Sequence, residues 1–242
     1  MNMRSNKLRV VSFSGIDGAG KSTQIQALRN HLQSRGMRVE CREFWDDVVA
    51  FSRLREFLSH RVLKGDRGVG SPENPINRRD KNVRGWHLTI ARLFLYTLDA
   101  IHLRAVVAGI SEQVDVVIFD RYIFDEMANL PLDSWSARFF VRLLVTLSPK
   151  PDVAMVLDAD PDDAYARKPE YPVQFLHVNR DAYVKLSRIV GGIDIVESSL
   201  LEPATQAVAE IFASKCLRAK SAPPLKLVPV PLTIPHARSQ RR

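Results

Sequence analysis

The chain has 242 residues, of which 45% are hydrophobic and 26% are charged, a composition typical of a soluble globular protein with one large domain. No apolar run approaches the roughly 20 residues of a membrane-spanning helix, and no signal peptide is visible at the N-terminus. The two cysteines, Cys41 and Cys216, lack metal-ligand spacing, so a reducing, cytoplasmic setting is expected.

The net charge of +8 is concentrated at the two ends of the chain. Six basic and no acidic residues lie between Arg218 and Arg242, and residues 1–9 add three more basic side chains. Residues 10–217 carry 26 basic and 27 acidic side chains and are nearly neutral. Nucleic acid is therefore an unlikely partner of the body, because positive charge is not in excess there. We interpret the basic tail as a solvated end.

The most informative stretch follows the first predicted strand. Residues 8–13 are apolar and β-branched, as in a buried parallel strand. Gly15–Ser22 then reads Gly-Ile-Asp-Gly-Ala-Gly-Lys-Ser, which matches the phosphate-binding pattern G-x-x-x-x-G-K-[ST] in full. A helix is predicted next from three apolar residues at helical spacing and a glycine at its end: Ile25, Leu28, Leu32 and Gly36.

Strand, loop and helix in this order predict a backbone concavity that holds the phosphates of a nucleotide, as in a phosphoryl-transfer enzyme or a nucleotide switch. Lys21 is expected to reach the β- and γ-phosphates, and the Ser22 hydroxyl to ligate Mg²⁺. The loop N–H groups and the helix N-terminus face the anion. The predicted nucleotide-binding residues are Gly15, Asp17, Gly18, Ala19, Gly20, Lys21, Ser22 and Thr23.

Strands alternate with helices along the rest of the chain. Further strands are predicted at 37–42, 115–119, 153–157 and 193–196, and helices at 86–110, 134–147, 172–190 and 203–217. This alternation predicts an α/β fold, a three-layer sandwich in which helices cover both faces of a five-stranded parallel sheet.

Two segments depart from the alternation. Residues 64–85 are rich in Gly, Pro and Asn and carry the basic residues Arg78, Arg79, Lys81 and Arg84, so we expect a functional or disordered loop. Residues 219–242 contain five prolines and are predicted to be disordered. The predicted organisation is one domain over residues 1–217 and a basic, proline-rich tail over 218–242.

A second charged group closes the third predicted strand at Asp120, Arg121 and Tyr122. Ligands of open parallel sheets bind at the carboxyl ends of the strands, so Asp120 is expected to lie near the phosphate loop. Its carboxylate could hold Mg²⁺ or accept a hydroxyl proton, and Arg121 could offset charge on a transferring phosphoryl group.

Together these motifs resemble the thymidylate kinase family, a branch of the nucleoside monophosphate kinases. The resemblance covers roughly residues 8–215. It rests on Phe13–Thr23 with the carboxylate of Asp17, on Asp120-Arg121-Tyr122, and on Val156–Pro161 followed by Ala164 and Arg167. Downstream, Phe175, Arg180 and Tyr183 are similar to the family's helix after its lid.

The resemblance implies a P-loop fold, Mg-ATP as donor, and phosphoryl transfer to a nucleoside monophosphate, dTMP above all, with a homodimer as a possible assembly. It places Asp17 near the acceptor and Arg121 on the acceptor's phosphate. Some family members carry an arginine inside the loop where this chain has Gly18. The catalytic cation should then come from the lid, with Arg167 as the first candidate and Lys168 as the second.

The acceptor side departs from the family pattern. Arg42-Glu43 is followed by Phe44-Trp45-Asp46-Asp47 instead of Pro-Gly-Gly, and Asp99 stands where the family has an acceptor-binding arginine. Phe44 and Trp45 could bind an acceptor or belong to the core. Two alternatives stay open: a kinase for another small phosphorylated acceptor, and a nucleotide-binding regulatory module with little turnover.

Overall fold

The structure, a computed structural model, describes residues 8–49 and 86–216. The basic loop at 64–85 and the tail at 218–242 lie outside the described residues. The predictions for both segments, and the division of the chain at residue 217, therefore stay predictions.

Five parallel strands form one sheet, in the order β2-β3-β1-β4-β5. The strand bounds lie within two residues of the apolar runs from which the strands were predicted. The strands are β1 (Arg9–Gly15), β2 (Val39–Glu43), β3 (Val116–Asp120), β4 (Val153–Asp158) and β5 (Ile193–Glu197).

Helices connect the strands and cover the sheet. They are α1 (Lys21–Ser34), α2 (Trp86–Ala108), α3 (Ile123–Met127), α4 (Trp135–Leu147), α5 (Pro161–Arg167), α6 (Val173–Val190) and α7 (Leu201–Cys216). A π-helical turn, Phe44–Val48, follows β2. The long helices were predicted, whereas α3, α5 and the π-helical turn were not. Within the described residues, no helix is long and apolar enough to cross a membrane.

The core lies between the sheet and two groups of helices. Helix α1 packs against α7, and α2, α4 and α6 pack in a chain of contacts, α2 on α4 and α4 on α6. The central strands β1, β3 and β4 are almost entirely buried, as their apolar sequences require. The predicted α/β sandwich with a parallel sheet is confirmed.

Helix α2 buries one of its two neighbouring aromatic residues and exposes the other. Phe94 is 62% exposed, whereas Tyr96 is buried. Helical geometry explains the difference, because Phe94 shares a face with the exposed Ile90, while Tyr96 shares the inner face with Ala100 and Leu103.

Candidate active site

A cavity of about 860 Å³ opens at the carboxyl ends of the strands. The sheet order places β1 and its phosphate loop at the centre of this edge. The ends of β2 and β3 contribute Glu43 and Asp120 on one side, and Ser198, just after β5, lies on the other. A single ligand-binding space therefore has the phosphate loop in its middle and chemically different groups on its two sides.

The phosphate loop is compressed between two neighbouring elements. Gly15 has φ +138°, and a Cβ atom there would lie 2.6 Å from the carbonyl oxygen of Leu157 in β4. Gly18 has φ +82°, and its Cβ would lie 2.2 Å from the carbonyl oxygen of Ala164 in α5. Both positions require glycine, because the backbone is left-handed and no space exists for a side chain.

Lys21 is buried at the base of this loop. Its Nζ donates hydrogen bonds to the carbonyl oxygens of Gly15 at 3.0 Å and Ile16 at 2.9 Å. The pKa of Lys21 is lowered to about 8, chiefly by burial and also by the charge of nearby Arg121. Asp17 and two other carboxylates act in the opposite direction. The ammonium is therefore held by neutral carbonyls and keeps its charge available for an anionic ligand.

Asp120 lies beside the loop because β3 pairs with β1. This pairing brings the Cα of Asp120 opposite that of Phe13. Its Oδ1 atom is buried and has no hydrogen-bond partner among the described residues. Burial raises the pKa of Asp120, and the positive charges of Lys21 and Arg121 lower it in part. A carboxylate oxygen left without a partner in a polar cavity, close to the loop that carries Ser22, suits a divalent cation.

Arg121 links the phosphate loop to α3. Its backbone has φ +67°, unusual for a residue other than glycine, and its N–H donates to the Phe13 carbonyl at 2.8 Å. The guanidinium donates to the carboxylate of Asp17 and, at 2.9 Å, to that of Asp125. Burial alone would lower the pKa of Arg121, but Asp125, Tyr183 and Asp17 raise it, so the residue stays charged.

Helix α5 covers the cavity from the opposite side. Asp160 caps it by accepting a hydrogen bond from the Asp162 N–H at 2.9 Å, and Pro161 occupies its first turn. Arg167 lines the cavity and donates from Nε to the Asp163 carbonyl at 3.1 Å. Lys168 also lines it, and its Nζ lies 3.1 Å from Glu170.

Arg180 has a different position from Arg167 and Lys168. It forms an ion pair with Asp158 at the end of β4, with 2.9 Å between Nη2 and Oδ2. That hydrogen bond raises the pKa of Arg180 further, although burial acts in the opposite direction. Arg180 therefore anchors α6 to the sheet, and it is not among the described residues that line the cavity.

Phe44 and Trp45, which the sequence assigned either to the core or to an acceptor site, have different positions in the structure. Phe44 is fully buried in the core, whereas Trp45 is 39% exposed and lines the cavity. Glu43 lies beside it, and burial together with a hydrogen bond to Asp46 raises the pKa of Glu43. Asp99 is fully buried in α2 and is not among the described residues that line the cavity.

Sequence reasoning missed the opposite end of the cavity. Gln24, Ser198, Ser199 and Leu201 line it there. The Oε1 atom of Gln24 and the Oγ atom of Ser198 are buried and have no hydrogen-bond partner among the described residues. The one available signal was position, because Ser198 follows a predicted strand end and ligands of parallel sheets bind at such ends.

The structure thus brings together the residues that the motifs predicted. The phosphate loop, Asp120, Arg121 and Arg167 border one cavity, although they come from three separate parts of the chain. A loop of this geometry binds phosphate, and a second set of charged groups faces it from the neighbouring strand and from α5. The fold and the cavity define a P-loop α/β protein with a candidate phosphate-binding site.

Comparison with known proteins makes the class more specific. The sequence matches no protein-family model. It is 30% identical over 168 residues to a thymidylate kinase of Chlorobaculum parvum, a match that covers 66% of this chain and 65% of that protein. It is also 30% identical over 167 residues to a thymidylate kinase of Chlorobaculum tepidum, covering 66% of each protein.

The fold is also similar to a solved structure. The thymidylate kinase of Candida albicans aligns over 85% of this chain and 91% of that chain, with 17% sequence identity and a TM-score of 0.58. The chain spans slightly less than two thirds of the length of the two Chlorobaculum relatives. The predicted resemblance to the thymidylate kinase family is confirmed.

Proposed function

We propose that this chain is a nucleoside monophosphate kinase that transfers the γ-phosphoryl group of ATP to dTMP, giving dTDP and ADP. The observation that carries the proposal is the cavity, in which a phosphate loop faces Arg121 on one side and Arg167 on the other. The names of its relatives, which are thymidylate kinases, support the same acceptor.

In this proposal the donor occupies the centre and the β5 side of the cavity. The loop from Gly15 to Thr23 holds the phosphates, and Lys21 exchanges its two carbonyl partners for phosphate oxygens. The base extends toward Ser198 and Gln24. Their buried oxygens without partners gain hydrogen bonds there, which favours a base with polar edges over an apolar group.

The residues beside the loop fit Mg²⁺. Ser22, in the first turn of α1, supplies a hydroxyl, and Asp120 supplies a buried carboxylate oxygen that has no hydrogen-bond partner in the described part of the chain. Oxygen ligands of this kind, combined with phosphate oxygens, suit this cation. When bound, Mg²⁺ neutralises charge on the β- and γ-phosphates.

The acceptor occupies the β2–β3 side. Arg121 binds its phosphate, because the guanidinium reaches the cavity there and has further N–H donors beyond the two used by Asp17 and Asp125. Asp17 lies next to the same group and can accept from a sugar hydroxyl. The half-exposed ring of Trp45 provides a surface against which a pyrimidine can stack.

In the transfer step, an oxygen of the dTMP phosphate forms a bond to the γ-phosphorus of ATP. The bond from that phosphorus to the oxygen it shares with the β-phosphate breaks, and ADP leaves with the electron pair. Arg167 and Lys21 stabilise the charge on the transferring group, because both are cations that line the cavity.

We further propose that the reaction takes place in the cytoplasm and that two copies of the chain associate through α2 and α4. Each of these helices leaves a stripe of large apolar side chains exposed. The stripe of α2 contains Ile90, Phe94 and Ile101, and that of α4 contains Trp135, Phe139 and Leu143. Exposed apolar patches of this kind mark association surfaces.

A panel of acceptors tests the proposed activity. ADP release from ATP and Mg²⁺ is measured with dTMP, dUMP, CMP, AMP and GMP in turn, and without acceptor as the background. We expect dTMP to give the highest kcat/KM. Release that no monophosphate stimulates would contradict the kinase assignment, and a clear preference for another acceptor would contradict dTMP.

A further inference from the structure

Asp125, in the first turn of α3, connects four parts of the active-site region. It is 3% exposed. Its carboxylate accepts hydrogen bonds from Ser14 Oγ at 2.6 Å and from the Tyr183 hydroxyl at 2.7 Å. It also accepts from Arg121 Nη1 at 2.9 Å and from the Tyr122 N–H at 3.1 Å. Such a group is fully satisfied by its surroundings and is not available to a ligand.

The four donors require Asp125 to be ionised, because a carboxylate accepts hydrogen bonds at both oxygens whereas a protonated acid would have to donate one. Burial, and then the charge of Asp125, raise the pKa of Tyr183 well above its usual value, so that this hydroxyl keeps its proton and donates it. The charge of Asp125 is therefore balanced chiefly by Arg121, to which it is joined by a direct ion pair.

Arg121 depends on this ion pair for its orientation. Its left-handed backbone conformation is strained for a residue with a side chain and needs support from its surroundings. On the guanidinium, the support consists of Asp17 on the loop side and Asp125 on the α3 side. Without Asp125, the guanidinium would keep only its loop-side partner and could rotate about its side-chain bonds.

We propose that Asp125 is a positioning residue that acts through Arg121, fixing its guanidinium for the acceptor's phosphate. The inference deepens the proposed function and rests on it for the identity of the acceptor. The carboxylate touches neither substrate, because its oxygens are already occupied by four donors. Its effect on the reaction passes through the geometry of the arginine.

The first test is the substitution Asp125→Asn, which keeps the shape of the side chain and removes its charge. We expect kcat/KM for dTMP to fall about tenfold or more, as for charged groups in direct contact, while KM for ATP stays within about twofold. The matched control is Asp133→Asn. Asp133 also pairs with α6, through Lys185 at 3.0 Å, and neither residue is among the described residues that line the cavity.

Tyr183→Phe separates positioning from folding, and it remains informative if Asp125→Asn fails to fold. It removes one buried hydrogen bond to the same carboxylate and leaves both partners of Arg121 in place. We expect a lower melting temperature with kcat/KM for dTMP within about twofold of the wild type. If Tyr183→Phe lost as much kcat/KM as Asp125→Asn, the role of Asp125 would be general stabilisation and the proposal would be overturned.

A double-mutant cycle then shows whether Asp125 acts through Arg121. In an Arg121→Met background, we expect Asp125→Asn to cause no further loss of kcat/KM for dTMP. An undiminished second loss would overturn the proposal, because it would mean that Asp125 acts by another route.

A measurement that needs no turnover distinguishes this inference from the proposed function. Arginine side-chain NMR follows the guanidinium N–H signals of Arg121, assigned by their disappearance in Arg121→Lys. We expect slow solvent exchange of these protons in the wild type and fast exchange in Asp125→Asn, but not in Asp133→Asn. Unchanged exchange in Asp125→Asn would overturn the inference, even if dTMP is the substrate. Wild-type protein that turns over no acceptor would overturn the proposed function alone.

Discussion

Lys21 and Arg121 are both cations at the cavity, but their hydrogen-bond partners differ in charge, and this difference indicates different roles. Lys21 is held by two neutral carbonyl oxygens, whereas Arg121 is held by two carboxylates. The field of Lys21 at the phosphate loop is therefore little reduced by its immediate partners. The charge of Arg121 is largely balanced, so its contribution is the orientation of its N–H donors more than its long-range attraction.

Replacing Lys21 tests the assignment of the donor site. In Lys21→Met we expect kcat to fall at least about a hundredfold, because a preorganised charge that faces the transferring group is lost from a buried position. Lys185→Met is the control, since Lys185 forms an exposed ion pair with Asp133 and is not among the described residues that line the cavity. The coupled ADP-release assay measures both, and a Lys21→Met variant with wild-type turnover would refute the mechanism.

Ser198 offers a test of the donor's base. In Ser198→Ala we expect KM for ATP to rise about 2- to 12-fold with little change in kcat, because one neutral hydrogen bond contributes about 0.5–1.5 kcal/mol. The control is Ser187→Ala, another buried serine, whose hydroxyl donates to the Val184 carbonyl at 2.9 Å within α6. An unchanged KM for ATP would place the base elsewhere in the cavity.

At the scale of elements, the contact between the phosphate loop and α5 supports the proposal that the catalytic cation comes from α5 and not from the loop. The Cα of Gly18 lies so close to the Ala164 carbonyl that a side chain has no space. An arginine at this position of the loop, as in some family members, would require α5 to move away. Arg167 is carried by α5 itself and reaches the cavity without such a rearrangement.

Gly18→Ala measures this contact, with Gly36→Ala as a matched control. Both glycines are left-handed, with φ +82° and +79°, but a Cβ at Gly36 would meet nothing within 4 Å. The backbone strain is therefore similar, and the clash occurs only at Gly18. We expect Gly18→Ala to lower the free energy of unfolding by about 1–3 kcal/mol more than Gly36→Ala does, measured by urea denaturation. Equal losses would mean that loop and helix separate easily.

Much of the fold could be predicted from the sequence, because long apolar runs and helical periodicity specify the strands and the long helices. The short elements could not. Helix α3 has five residues and α5 has seven, too few for a periodic pattern to be visible. The phosphate loop and Asp120-Arg121 were recognisable as motifs, whereas Asp125 and Ser198 owe their importance to contacts with residues distant in the chain.

For the whole molecule, the order of the strands organises the reaction that we propose. The phosphate loop follows the central strand β1, and the sheet extends from it in two directions. The β2–β3 half presents Glu43, Asp120 and Arg121, and the β4–β5 half leads to Ser198. In the proposed reaction, the acceptor and the donor base lie at the two sides of this edge, and the phosphates of both meet above β1.

The exposed apolar stripes of α2 and α4 make the proposed association of two copies testable. Helices α2 and α4 pack against each other, and Trp135 is 80% exposed on α4. Aromatic side chains contribute much of the binding energy of such interfaces. Replacing one by glutamate would bury a carboxylate without a partner at the interface, which opposes association.

We therefore expect Phe94→Glu combined with Phe139→Glu to weaken the dimer at least about thirtyfold, seen by sedimentation velocity as a shift to monomer at micromolar concentration. Val178→Glu is the control, because Val178 is equally exposed on α6 but belongs to neither stripe. Circular dichroism verifies that each variant remains folded. A monomeric wild type would contradict the proposed assembly. Dissociation by Val178→Glu to the same extent would place the interface on another surface.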